Sequence, residues 1–149
     1  MNGRRRRALL TAVHPMLEPG ERVEVTTIVA LSTVPVGRQF ATGLASGMIS
    51  GLASGVSVTV VPTPTPMYLA MTDRRLIIFR ADPMFAKPVE HTMTIQRAHL
   101  YRSEIKERVL NSSMVLSSPY SEHSLKLIFP LISRRERHLV AAALPVATG

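Results

Sequence analysis

The chain of 149 residues has no cysteine and no tryptophan, and only three tyrosines and four phenylalanines. Without thiols there is no disulfide framework, no thiolate metal site and no thiol nucleophile, and a reducing cytoplasm is the expected setting. Sparse aromatics also weaken nucleic-acid binding, which stacks bases on aromatic rings. Acidic residues are few as well. Ten Asp and Glu stand against eighteen Lys and Arg, for a formal net charge of +8. The expected partners are therefore anionic: a membrane surface, an acidic protein face or, less favoured, nucleic acid.

The chemistry of an enzyme is missing too. His14, His91, His99, His123 and His138 are dispersed, with no HExxH and no metal pair at helical spacing. His91 reads as a partly buried strand histidine, and Glu122-His123 and Glu136 near His138 as surface charge pairs. The repeated Gly-Leu-Ala-Ser-Gly puts its serine one place too late for a nucleophile elbow, and no phosphate-binding glycine loop is present. No catalytic, cofactor-binding or metal residue is expected.

The length suits one domain, 18–149, preceded by a basic arm, 1–17. Arg4 to His14 predicts a short helix with Leu9, Leu10 and Val13 on its apolar side, stopped by Pro15. The apolar run Ala8 to Val13 is too short for the core of a signal peptide. After the turn residues Glu18-Pro19-Gly20-Glu21, the alternation Val23, Val25, Thr27, Val29, Leu31 predicts a strand with Glu24 and Thr26 facing out.

Between 36 and 55 glycine recurs every fourth residue, at Gly43, Gly47, Gly51 and Gly55. On a helix these would form a flat stripe for close packing, at about 1 kcal/mol of lost helix propensity per glycine. A single membrane crossing here would strand the first β-strand on the wrong side of the bilayer from the rest. A packed helix, an in-plane membrane helix and a loop remain as readings of this insertion. Pro62-Thr63-Pro64-Thr65-Pro66 follows as an extended linker, 62–66.

Met67 to Thr72 and Arg75 to Ala81 predict a tight hairpin about Asp73-Arg74. Further strands are expected at Val89 to Thr94, Ala98 to Ser103, Arg108 to Ser117 and His123 to Phe129, making seven. The period then changes. Ser133-Arg134-Arg135-Glu136 is a capping-box pattern, and Ile132, Leu139, Val140, Ala143 and Leu144 line one side of a last helix, with Arg134, Arg135 and Arg137 on its polar face.

This order of elements, with Leu17-Glu18-Pro19-Gly20-Glu21-Arg22-Val23 before the first strand and Met67 to Phe79 (MYLAMTDRRLIIF) at the hairpin, resembles bacterial pleckstrin-homology-like and GRAM-like domains. The resemblance implies a mainly β fold: a seven-stranded, two-sheet barrel or sandwich plugged by the C-terminal helix. It also implies a binding scaffold rather than an activity. Family members that bind phosphoinositides place basic residues on the first two strands and their connecting loop, where this chain has only Arg38, so no family binding residue carries over.

Two functions are expected from different features. The first is an assembly module that self-associates as a homo-oligomer, or docks on a protein, through Gly43, Gly47, Gly51 and Gly55. The second is a peripheral membrane protein that meets anionic lipid through Arg4, Arg5, Arg6, Arg7 and Arg38, aided by the glycine segment. Nonspecific nucleic-acid binding comes third.

Overall fold

A computed structural model describes residues 3–35, 56–57, 60–82, 88–119 and 123–146. In chain order the elements are helix α1 (Gly3–Val13), strands β1 (Val23–Pro35), β2 (Val56–Ser57), β3 (Thr65–Thr72), β4 (Arg75–Ala81), β5 (Pro88–Gln96), β6 (Tyr101–Arg102), β7 (Lys106–Glu107), β8 (Asn111–Ser117) and β9 (His123–Pro130), and helix α2 (Arg134–Ala143). The mainly β character and the C-terminal helix match the sequence reading. Among the described residues, however, the strands lie in one antiparallel sheet, ordered β2-β5-β4-β3-β1-β9-β8-β6, with β7 also paired to β8.

Strand β1 organises this sheet because its two halves have different partners. Residues Val23 to Leu31 pair with β3, whereas Ala30 to Pro35 pair with β9. Near the end of β1, Thr33 grips the returning chain: its amide and hydroxyl donate to the Val61 carbonyl at 2.7 and 3.0 Å, and its hydroxyl accepts from the Val61 amide at 2.9 Å. The expected linker is shorter than its prolines suggest. Thr65 and Pro66 already belong to β3, Pro66 lying opposite Ala30 where the β4 ladder has not yet begun.

The near-continuous apolar runs of β3 and β4 follow from burial on both faces. Met67, Leu69, Met71, Leu76 and Ile78 face the main core, which also takes in Leu127 and Phe129 of β9. Tyr68, Ala70, Ile77 and Phe79 point to the opposite side and are covered by Leu9 and Val13 of α1. Thr26, expected to face solvent, is buried as well. The β3–β4 turn closes without glycine because the Thr72 hydroxyl accepts the amides of Arg74 and Arg75 at 3.0 and 2.8 Å.

Four expectations about the C-terminal half are corrected. Ala98 to Ser103 is not one strand: a 3₁₀ turn at Arg97–His99 precedes the two-residue β6. The strand expected from Arg108 starts at Asn111, because the Arg108 amide bonds to the Asn111 carbonyl at 2.8 Å and closes a turn. The inward stripe of α2 is Arg137, Val140 and Ala141, continued by Leu144 beyond the helix; Leu139 is 46% and Ile132 77% exposed. Ser133 occupies the cap position but its side chain caps nothing, so the capping box does not form.

Candidate docking surface

Helix α1 has two unlike sides. Leu9 and Val13 are fully buried, and Arg5, one turn earlier on the same stripe, is half-buried. Arg5 lies near Tyr68: burial pushes the phenol's pKa up, and the Arg5 charge pulls it partly back. Arg4, Arg6 and Arg7 are exposed, and the first turn contains no acidic residue. Of the four α1 arginines among the five expected to meet an anionic surface, three face outward and one helps seat the helix.

The seating is completed by a polar clasp between the two segments that carry the family resemblance. The Glu21 carboxylate, fully buried, accepts from Arg75 Nε at 3.0 Å and from Arg75 Nη2, from the Thr72 hydroxyl at 2.6 Å and from the Glu18 amide at 3.0 Å. These donors, Arg75 foremost, hold its pKa at about 2 against the desolvation that would raise it. Arg75 also donates to the Met16 carbonyl at 2.7 Å, just beyond the end of α1. Arg74 reaches Glu18 at 3.1 Å and the Pro19 carbonyl at 3.3 Å, and the Arg22 amide donates to Asp73 at 2.9 Å. Gly20 supplies the positive φ of 81° that this turn needs.

Helix α2 is tied down by arginines whose structural use was not legible in the sequence. Arg102 Nε donates to the Ala141 carbonyl at 2.8 Å and Arg97 Nη2 to the Ala143 carbonyl at 3.3 Å, satisfying carbonyls that a helix end leaves open. Arg137, assigned above to the polar face, is 1% exposed instead. Its Nη1 donates to Glu107 of β7 at 2.7 Å, and its Nη2 lies 3.0 Å from His138 Nε2. The Arg137 bond is the main reason the Glu107 pKa is lowered, with Arg134 among the lesser causes.

Arg134 and Arg135 remain exposed, and Arg135 shares a cleft of about 300 Å³ with Arg6, Glu24 and Glu136. One edge of α1 and one edge of α2 therefore meet at a cleft that carries both signs of charge. Beside α2 lies an apolar end of the sheet that sequence reasoning missed. Val109 and Leu110 are 88% and 76% exposed, although strand-like residues of this kind were expected in the sheet. Leu110 borders a shallow pocket of about 310 Å³ with Ile28, Ile128 and Pro130.

Residues of metal-ligand type are dispersed over the described residues. Among them no three His, Asp or Glu residues are placed to hold a metal ion, and no helix is long and apolar enough to cross a membrane. His91, read as partly buried, is exposed and bonds Thr94 at 2.6 Å while meeting Phe79 edge-on at 5.5 Å. Arg38, Gly43, Gly47 and Gly51 lie outside the described residues, as do Gly55 and Glu122. Compared with known proteins, the sequence matches no family model and no curated protein.

Proposed function

We propose that this chain is a pleckstrin-homology-like binding module that docks peripherally on an anionic membrane through the arginine face of α1. The observation that carries the reading is the position of Arg4, Arg6 and Arg7, exposed in the first turns of a helix whose other side is fixed to the sheet. Cations at a helix N-terminus oppose the macrodipole, each at about 0.3–1 kcal/mol, and the guanidinium groups also repel one another. An anionic surface relieves both costs together. The division of β1 between β3 and β9, with α2 packed on the main core, supports the two-sheet, helix-plugged form that the resemblance implies.

Each arginine near anionic lipid contributes about 1 kcal/mol, so three supply roughly 3 kcal/mol, about a hundredfold in partitioning. That is enough for reversible attachment. Co-sedimentation of the full chain with phosphatidylglycerol vesicles should therefore fall steeply as salt rises, and should drop by about two orders of magnitude when Arg4, Arg6 and Arg7 are replaced by Gln. A chain that ignores these vesicles at low salt has another function. Binding to duplex DNA in preference to vesicles would favour the nucleic-acid reading.

A further inference from the structure

The exposed aliphatic residues at one end of the sheet are the least explained feature of the molecule. Val109 and Leu110 form the tip of the turn between β7 and β8, and Leu131 and Ile132 follow directly on β9. The two tips are neighbours, because Asn111 at the start of β8 pairs with Pro130 at the end of β9. All four side chains are exposed, from 49% at Leu131 to 88% at Val109. Side chains of this kind are ordinarily withdrawn from water, and a contiguous group of them marks a contact.

The charges next to these residues are mainly positive, with Glu104 and Glu136 the acids of the same end beside Glu107. Arg108 precedes Val109, Arg134 and Arg135 follow Ile132 and Ser133, and all three are exposed. Of these acids, Glu107 is neutralised by Arg137 at 2.7 Å. Towards α1 the rim carries both signs, because Arg135 and Arg6 share their cleft with Glu24 and Glu136.

We infer that this end is a bilayer-insertion tip: Val109, Leu110, Leu131 and Ile132 enter the boundary between headgroups and acyl chains while Arg108, Arg134 and Arg135 hold the phosphates around them. The inference rests on the membrane reading above and adds an apolar contact to its electrostatic one. A lipid surface fits better than a protein partner on two grounds. Val109, Leu131 and Ile132 stand on turn tips, with Leu110 at the rim of the shallow pocket beside them, and exposed arginines lie next to these aliphatic groups on both tips. Inserted aliphatic groups surrounded by cations suit a fluid surface whose phosphates move to meet them.

The absence of cysteine makes the test direct. In the full chain, Leu110→Cys gives one labelling site for a polarity-sensitive fluorophore, and phosphatidylglycerol vesicles should shift its emission to the blue, with quenching by lipids brominated near the headgroup. Leu110→Ser with Ile132→Ser should keep the wild-type melting curve and heparin binding yet lower vesicle partitioning at least tenfold, and about a hundredfold if both aliphatic side chains are fully inserted. An unshifted fluorophore together with unchanged partitioning of the serine variant overturns the insertion tip. If Arg4, Arg6 and Arg7→Gln still abolishes vesicle binding in that case, the membrane reading survives without it. A wild-type dimer that the serine substitutions convert to monomer also overturns the inference, by assigning the tip to a second copy of the chain.

Discussion

Glu21 and Arg75, 54 positions apart in the chain, meet in a buried ion pair in which one guanidinium engages both carboxylate oxygens. Losing one partner leaves an uncompensated charge in a dry site. Arg75→Ala is therefore expected to cost roughly 3–5 kcal/mol, and Arg75→Met combined with Glu21→Gln markedly less, since no charge is then stranded. Urea melts of the two variants measure the difference. A loss below about 1 kcal/mol for Arg75→Ala would show that water reaches the pair.

Acid should weaken the fold through the same carboxylate. Glu21 titrates at about 2 in the folded chain against an ordinary value of 4.5, so the unfolded state binds more protons as pH falls. Its contribution is complete above the unfolded value and disappears as pH drops through about 2, amounting to about 3 kcal/mol at most. Glu107, also lowered, acts in the same direction. Stability measured between about pH 5 and pH 2 should thus slope more gently in Glu21→Gln than in the parent, without becoming flat. Equal slopes would remove Glu21 from the acid response.

Neighbouring positions on α2 should respond oppositely to the same change. Val140→Asp buries a carboxylate in the main core and is expected to cost several kcal/mol, enough to unfold a marginal domain. Leu139→Asp, at a half-exposed site, should melt close to the parent. Thermal denaturation followed by circular dichroism distinguishes them, and reversed sensitivities would mean that the helix is rotated about its axis.

The β3–β4 hairpin was legible because its residues carry local instructions: two apolar runs and a two-residue polar turn. The direction of α2 was less so. Its apolar residues offered two overlapping stripes, and only packing chose the one containing Arg137, whose charge argued for solvent until Glu107 was brought to it from β7. Val109 and Leu110 were misread for a related reason. Their strand propensity is real, but the Arg108–Asn111 turn places them beyond the ladder. Nothing local signals that EPGER and TDRR bond to each other, since such a contact depends on tertiary placement. Of the candidate site, Arg4 to Arg7 were identifiable by charge alone, whereas the different role of Arg5 required knowing which side of α1 meets the sheet.

The four-residue glycine period predicts an effect on assembly independent of the membrane reading. Enlarging Gly47 and Gly51 to Leu should change the solution mass or precipitate the chain if a backbone packs against that stripe. Light scattering reads the result. Unchanged mass and solubility would leave the period without a packing role.

Thr33 and Val61 are joined by three hydrogen bonds across 28 positions of sequence, which hold together the two ends of a segment that touches the sheet again only briefly among its described residues, at Val34 and Pro35 beside β9 and at β2 beside β5. A segment anchored in this way is a cassette. Its length can change through evolution or by grafting without re-threading the strands on either side, and the closure cost rises by only about 0.6 kcal/mol for each doubling. Relatives of this chain would accordingly be expected to differ most in size between those two residues, while the clasp and the hairpin stay in register.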